Sequence, residues 1–168
     1  GDVFLTDFAP YGPSGGAPAS FIAAPVYDQG LQAGVLAYQM PLGRIGEVLS
    51  RTKGLGESGD VFLVGQDGQI RNDSPKTDVD DSLTGSLSGD AISSALAGTA
   101  AMGVVDHGGS TKVAMAIPIS FGGSNWAVVA LESGAEILAP SHMLRNMMLM
   151  IGALLLALSA VGSILIAR

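Results

Sequence analysis

Charged side chains next to strand-like segments are the residues of this sequence best suited to bind a small ligand. Arg71 and Asp73 follow a predicted hairpin turn at Asp67-Gly68, and Asp106 ends another strand-like segment. An arginine guanidinium can hold a carboxylate through two parallel hydrogen bonds. Arg71, Asp73 and Asp106 are therefore candidate ligand contacts. The alternative is a surface ion pair among Arg71, Asp73 and their neighbours, which implies no ligand.

The other reactive side chains lack the spacing that catalysis or metal binding requires. The chain has no cysteine, which excludes disulfides, thiolate catalysis and cysteine-ligated zinc. Asp78, Asp80 and Asp81 lack the glycine and the glutamate of an EF-hand, so we expect a solvated acidic loop. His107 and His142 have no partner at zinc-ligand spacing, and neither a Gly-x-Ser-x-Gly motif nor a P-loop occurs. We predict no enzymatic activity, no metal and no cofactor.

The abundance of glycine, at 24 residues, is typical of short strands joined by tight turns. The connections after residue 98 are short enough for antiparallel hairpins. Pro41 and Asp90 are placed to start the helices that follow them. We predict an α+β fold in which an antiparallel sheet of about five strands is flanked by helices. The predicted strands span residues 20–27, 32–40, 60–64, 99–106, 111–120 and 125–132, with the start of a return strand at 69–71, and the predicted helices span 42–51, 91–98 and 134–146.

Two stretches share one pattern, which indicates an internal repeat. Residues 23–40 and 116–132 each place a proline-bearing strand, a glycine turn and an apolar strand ahead of a helix. Their prolines, Pro25 and Pro118, are separated by close to one domain length. We predict two copies of one module in tandem, of which only the end of the first is present. The alternative is a coincidence between two ordinary hairpins.

Residues 147–167 contain no charged side chain. At a rise of about 1.5 Å per residue, a helix over them reaches about 30 Å, the hydrocarbon thickness of a bilayer. We predict a transmembrane helix preceded by a juxtamembrane helix, with an interruption or kink at Pro140. The chain starts with Gly1 and stops after Arg168, so we expect a fragment of a longer protein.

The part of the chain before the predicted membrane span is acidic. It contains seven of the eight Lys and Arg residues and all fifteen Asp and Glu residues, for a net charge of −8. Phosphates would be repelled, so a nucleic-acid partner is excluded. The acidic part also favours an extracytoplasmic location, with the helix in the bacterial inner membrane.

Several stretches resemble the double Cache sensor of bacterial methyl-accepting chemotaxis proteins. GLGESGDVFLVGQDGQIRNDS, residues 54–74, resembles the opening of the membrane-proximal Cache module. Residues 4–40 resemble the final hairpin of the membrane-distal module, and NWAVVALE at 125–132 resembles a closing strand. The resemblance covers nearly the whole chain, and residues 54–74 are its specific part. It implies a PAS-like fold, extracytoplasmic and linked by a membrane helix to a cytoplasmic signalling module.

The same resemblance implies five segments with defined boundaries. Residues 1–40 correspond to the remnant of the distal module, and 60–133 to the proximal module. A connecting helix and a glycine-rich joint at 41–59 lie between them. A juxtamembrane helix at 134–146 and the transmembrane helix at 147–167 follow.

The resemblance also suggests which residues form a distal ligand pocket. Amino-acid-sensing members have an aspartate on the strand that leads out of the distal hairpin, where it meets the ligand ammonium. The corresponding position here is Gln39, and a neutral amide cannot supply that charge. Asp7, Tyr11, Tyr38 and Gln39 are the candidates for the pocket wall. The alternatives are strand packing for the tyrosines and turn capping for Asp7.

We therefore interpret the chain as the small-molecule sensor region of a transmembrane chemoreceptor, with an unknown ligand. Ser159 and Ser163, with Ala153 and Ala157, put small residues four apart on the membrane helix, as in a homodimer with closely packed helices. The alternatives are the sensor of a histidine kinase or nucleotide cyclase, and a membrane-anchored binding module without signalling output.

Overall fold

The structure is a computed structural model that describes residues 2–40, 42–51, 54–77 and 80–166. It contains two compact units, Gly1–Ser133 and Gly134–Arg168. Four predicted features lie outside the described residues. They are Pro41 as a helix start, Asp78 of the acidic loop, Ala167 at the end of the membrane span, and Arg168.

The first half of the larger unit is built around one long hairpin. Strands β1 and β2 both pair antiparallel with one side of β3, and β4 pairs with its other side. Gln29 and Gly30 form the predicted turn, both with positive φ, as a two-residue hairpin turn requires. The elements are β1 (Phe4–Leu5), β2 (Ala9–Pro10), β3 (Pro18–Asp28), β4 (Leu31–Met40) and helix α1 (Leu42–Leu49).

The second half is an antiparallel sheet with one helix, which confirms the α+β fold class. Its strand order is β5-β8-β7-β6. The sheet has four strands rather than five, because the return after the Asp67-Gly68 turn contributes only a single bridge between Val64 and Ile70. The elements are β5 (Asp60–Val64), α2 (Asp90–Leu96), β6 (Ala101–His107), β7 (Ser110–Phe121) and β8 (Ser124–Ser133).

Helix α2 closes one face of this second sheet. Ala91, Ile92 and Ala95 are buried against it, since they lie at helical spacing on one side of α2. The predicted cap at Asp90 is wrong. Gly89 takes the N-cap position with φ of 148°, a conformation that favours glycine, and Asp90 is already the first helical residue. The core beneath α2 consists of Phe62, Val64, Ile70, Leu87, Val105, Ala114, Ala116, Ala127, Val129 and Leu131.

The opposite face of the second sheet packs against the first half of the unit. Leu63 and Trp126 of the sheet form a buried cluster with Leu5 and Phe8. In α1, the apolar residues Ile45 and Leu49 pack on this cluster, whereas Val48 is 65% exposed. The other residues packed on the cluster are Ile22, Met40, Leu83 and Val128.

The smaller unit is one helix, α3 (Gly134–Ile166), of 33 residues. It is long and apolar enough to cross a membrane, and its most apolar stretch is not buried within the described structure. The helix continues through Pro140, so the predicted interruption is wrong, and the predicted kink stays a prediction.

Candidate functional site

The polar residues of the Gly54–Ser74 stretch form a buried framework along β5. Leu63 N donates to Asn72 Oδ1 at 2.7 Å, and Asn72 Nδ2 donates to Val61 O at 3.1 Å. The side chain of Asn72 thus replaces a neighbouring strand at this edge of the sheet. The Ser74 hydroxyl donates to the buried carboxylate of Asp60.

Arg71 is the charged centre of this framework and is only 2% exposed. Its Nε and Nη2 donate to the two carboxylate oxygens of Asp7, at 3.1 and 2.8 Å. Nη2 also donates to Asp67 Oδ1 at 2.9 Å, and Nη1 donates to Gln69 O at 3.1 Å. Gly65 makes room for the guanidinium, because a Cβ at position 65 would overlap Nη2. Arg71 therefore does hold a carboxylate through two hydrogen bonds, and the carboxylate is that of Asp7.

Asp7 collects hydrogen bonds from both halves of the unit. Its Oδ1 accepts from Trp126 Nε1 at 2.8 Å and from the backbone amide of Phe8 at 2.7 Å, in addition to Arg71. Burial raises the pKa of Asp7, but the hydrogen bonds from Arg71, Trp126 and Phe8 and the charge of Arg71 together lower the pKa below its usual value. Burial likewise lowers the pKa of Arg71, but Asp7 and Asp67 raise it above its usual value. Both groups are charged at neutral pH.

This arrangement differs from the predicted groupings. Arg71 does form ion pairs, as the alternative interpretation expected, but it is buried and its partners are Asp7 and the neighbouring Asp67 rather than Asp73. Asp7, predicted to share a pocket wall with Tyr38 and Gln39, instead faces Arg71 and Trp126 of the second half.

The candidates on the first hairpin lie on two faces of the sheet. Phe21 is the cross-strand partner of Gln39, and the ring of Tyr11 meets the ring of Phe21 edge-on, with centroids 5.0 Å apart. Residues opposite each other on antiparallel strands share a face, so Tyr11 and Gln39 border the same surface. Tyr38 is paired with Ile22 and therefore lies on the other face, where its side chain is 65% exposed.

Asp73 and Asp106 are not brought together with Arg71. The carboxylate of Asp73 accepts the backbone amide of Asp81 at 3.3 Å. That of Asp106 accepts the hydroxyl of Thr111, its cross-strand partner, at 2.7 Å. Ligand binding by either residue stays a prediction. Asp73 also lines a groove of about 290 Å³ beside α1, together with Gly43, Gly46, Glu47, Ser50 and Pro75.

Sequence reasoning missed Trp126, Asn72 and Asp67 as partners in these contacts. Asn72 lies in a polar run after the Asp67-Gly68 turn, and its hydrogen bonds to β5 are seen only in the structure. Nothing local in the sequence links Trp126 to Asp7, because their contact joins residues from opposite ends of the larger unit.

The larger unit combines a hairpin with an antiparallel sheet that a helix closes on one face. Solved ligand-binding domains of chemoreceptors share this fold. The chain is similar to the ligand-binding domain of the Pseudomonas fluorescens chemoreceptor CtaA in complex with L-isoleucine, with 21% identity and a TM-score of 0.58 over 82% of this chain and 55% of that one. It is also similar to the ligand-binding domain of the Pseudomonas aeruginosa PAO1 amino acid chemoreceptor PctB in complex with L-Arg, with 22% identity and a TM-score of 0.59 over 82% of this chain and 57% of that one.

A different class of receptor shares the same fold. The extracellular domain of the histidine kinase mmHK1S-Z2 matches with 19% identity and a TM-score of 0.53, over 77% of this chain and 51% of that one. The chain thus spans about half the length of these domains. No protein-family model and no curated protein sequence matches it. These structures confirm the predicted fold, which the chain shares with ligand-binding domains of chemoreceptors and with the extracellular domain of a histidine kinase.

Proposed function

We propose that the chain is the membrane-proximal part of an extracytoplasmic small-molecule sensor in a transmembrane chemoreceptor. One observation carries the proposal. The two hairpins of the larger unit follow the same pattern, and the face that α2 covers in the second half has no covering helix in the first half within the described residues.

The register of the two hairpins defines the equivalence. Pro25 pairs with Val35 in the first hairpin, and Pro118 pairs with Ala127 in the second. Because strand residues alternate between faces, the face of the first hairpin that contains Pro25 corresponds to the face of the second sheet that is covered by α2. On the first hairpin this surface consists of Phe21, Ala23, Pro25, Val35, Ala37 and Gln39, and it is called the open face below.

On its corresponding face the second sheet is filled beneath α2, and a cavity of about 180 Å³ lies at the end of α2, lined by Leu96, Gly98, Pro118 and Trp126 among others. Phe62, Val64, Ile70, Ala116 and Val129 beneath α2 have 0% exposure. A packed interior of this kind holds a sheet rigid and transmits displacement. This supports a transmitting role for the second half.

The open face offers the chemistry for a small polar ligand. The side chains of Ala23 and Ala37 are small and leave space above the sheet. Gln39 supplies an amide donor and acceptor, and the phenol of Tyr11 borders this surface. Because Gln39 carries no charge, we infer recognition by hydrogen bonds at this position rather than by an ion pair. Within the described residues β4 pairs only with β3, whereas its counterpart β8 pairs on both sides. We infer that chain preceding residue 1 completes the pocket.

The path to the membrane is short. Strand β8 ends at Ser133 and α3 begins at Gly134, so the last strand of the second sheet continues directly into the candidate membrane span. We propose that a shift of this strand is passed on to a cytoplasmic module through α3, in a homodimer anchored in the bacterial inner membrane.

A thermal-shift screen of the complete extracytoplasmic region tests the proposal. The compounds are L-isoleucine, L-arginine, other amino acids, small organic acids, amines and sugars. A ligand present at about 100 times its Kd stabilises the folded state by about 2.7 kcal/mol, which raises Tm by several degrees. Gln39→Ala should abolish this shift. Tyr38→Ala is the matched control, because it changes the neighbouring residue on the opposite face and should leave the shift in place.

Two results would contradict the proposal. One is a screen in which no compound raises Tm. The other is a ligand-induced shift that survives Gln39→Ala and is lost in Asp106→Ala, since that would place the ligand on the second sheet.

The similarity to the histidine kinase domain favours a second candidate, a sensor that controls a kinase. The sequence that follows residue 168 in the full-length gene distinguishes the two. A HAMP linker followed by a long helical hairpin with heptads indicates a chemoreceptor, and a segment with a phosphoacceptor histidine indicates a kinase.

A further inference from the structure

Asp7 is mechanically tied to the first hairpin through the residue that precedes it. Thr6 N donates to Phe21 O at 2.9 Å, Phe21 N donates to Thr6 Oγ1 at 2.9 Å, and Ser20 Oγ donates to Thr6 O at 2.6 Å. Strands β1 and β2, on either side of Asp7, also pair with β3. A displacement of β3 therefore moves the backbone of Asp7 with it.

The side chain of Asp7 reaches the other half of the unit. It accepts hydrogen bonds from Trp126 on β8 and from Arg71 beside β5. Next to it, Leu5 N donates to Gly122 O at 3.0 Å in the turn between β7 and β8. Asp7 is thus a direct polar link between the hairpin with the open face and the strand that leads into α3.

Arg71 is arranged so that this link can open without leaving a buried charge unpaired. If Asp7 withdraws, Arg71 keeps its bonds to Asp67 and to Gln69 O. Asp7 has a side chain that is already 37% exposed and can be hydrated. Removing one partner of a buried pair is normally strongly destabilising because an uncompensated charge remains. The second carboxylate, Asp67, removes most of that penalty here.

We propose that Asp7 is a releasable latch between the two halves. In its closed state Asp7 binds Arg71 and Trp126, and in its open state Arg71 is held by Asp67 and the Gln69 carbonyl alone. A ligand on the open face that shifts β3 changes the proportion of the two states and thereby changes the restraint on β8. This role in signalling depends on the proposed sensor function. The existence of the latch does not.

The latch can be tested in the ligand-free full-length protein in detergent micelles, by hydrogen exchange of residues 2–10 and of the Trp126 indole N–H. Asp7→Asn removes the latch charge, and we expect about tenfold faster exchange of these groups with no change in α2. Asp67→Asn is the matched control. It also removes one negative charge beside the Arg71 guanidinium, and the asparagine oxygen can still accept the hydrogen bond from Gln69 N in the turn. The group lost is the carboxylate that competes with Asp7 for Arg71. We expect exchange equal to or slower than that of the unmodified protein.

Trp126→Phe provides a second variant that keeps an aromatic ring and removes the N–H donor together with part of the buried ring system. Exchange of residues 2–10 should rise about threefold, and combining it with Asp7→Asn should add little, since both act on one contact. If Asp7→Asn does not fold, the result for Trp126→Phe decides.

The latch is overturned if Asp67→Asn accelerates exchange as much as Asp7→Asn, or if exchange of residues 2–10 is unchanged in both Asp7→Asn and Trp126→Phe. A failure of L-isoleucine, L-arginine and the other screened compounds to bind would contradict the proposed function alone, because the exchange measurements contain no ligand.

Discussion

Arg71 shows how a buried charge can be stabilised at a junction between two parts of a chain. Its guanidinium has one carboxylate from its own hairpin turn, Asp67, and another from the segment that precedes the first long strand, Asp7. Gly65 is required beside it, because only a residue without a Cβ leaves space for the guanidinium. The stabilisation of the Arg71 charge therefore depends on Gly65 and Asp67 in its own hairpin and on Asp7 in a different segment.

The depressed pKa of Asp7 predicts a pH dependence of stability. The stabilising contribution of Asp7 is complete above its pKa in the unfolded chain, about 3.9, and is lost as the pH falls from there through the lower pKa of the folded state. We expect the unmodified protein to exceed Asp7→Asn in free energy of unfolding at pH 7 by about 1 kcal/mol, a modest value because the carboxylate is 37% exposed. The difference should shrink below about pH 4.

Urea unfolding of both proteins at a series of pH values measures this difference. A difference that stays constant from pH 7 to pH 3 would show that Asp7 contributes through packing instead of charge.

At the scale of elements, β5 is completed by side chains rather than by a strand. Asn72 bonds both to the amide of Leu63 and to the carbonyl of Val61, which leaves only a single bridge where a fifth strand was expected. An amide side chain can do this because it carries a donor and an acceptor on one planar group.

Replacing Asn72 by alanine should destabilise the second sheet by about 1–3 kcal/mol, since two buried backbone groups lose their partners. Denaturant unfolding of the extracytoplasmic region gives the value. The control is Asn125→Ala, at an exposed asparagine whose hydrogen bond is to the exposed Ser120, and we expect a change within about 0.5 kcal/mol. Equal effects of the two substitutions would contradict the role given to Asn72.

The sequence was sufficient to predict the long strands, the hairpin turns and the apolar C-terminal helix, because each has a local signal in periodicity, glycine placement or length. The sequence was insufficient to predict β1 and β2, since a strand of two residues is too short to show an alternation of apolar and polar residues. The cap of α2 was misplaced by one residue because aspartate is a good cap in general, whereas the backbone at position 89 favours glycine.

The candidate site was less predictable than the fold. Arg71 was recognised as a carboxylate binder, but its partner lies 64 residues away in sequence and comes from another segment. The register of β3 and β4 was needed to show which face of the sheet Tyr38 occupies and which face Gln39 occupies. Long-range pairing of this kind has no local signature.

For the whole molecule, the proposed membrane location depends on α3. Its apolar stretch is exposed along its length within the described structure, as expected of a helix surrounded by lipid. Ser163 Oγ donates to Ser159 O at 2.9 Å, so this hydroxyl is satisfied within the helix itself. Whether these small residues also form a dimer contact stays a prediction.

An arginine in the middle of α3 should prevent stable insertion, because a charged residue at the centre of a membrane helix costs about 2.5–3.5 kcal/mol. We expect Leu155→Arg to reduce the signal of a reporter that matures only in the cytoplasm and is fused after residue 168. Leu138→Arg, near the start of the same helix, is the control and should preserve the signal. Equal signals from the two variants would contradict a membrane span centred near residue 155.

The pairing of Asp7 with Arg71 has a consequence for receptor engineering. Hybrid receptors are made by grafting the input half of one protein onto the output half of another, and α1 is the natural place for the splice. Any crossover point at residues 42–49 puts the aspartate and the arginine into different parents. A hybrid joined there keeps the ion pair only if the first parent has the aspartate at position 7 and the second parent has the arginine at position 71. Otherwise the parent that supplies the aspartate must also contribute residues 65–71 and Trp126.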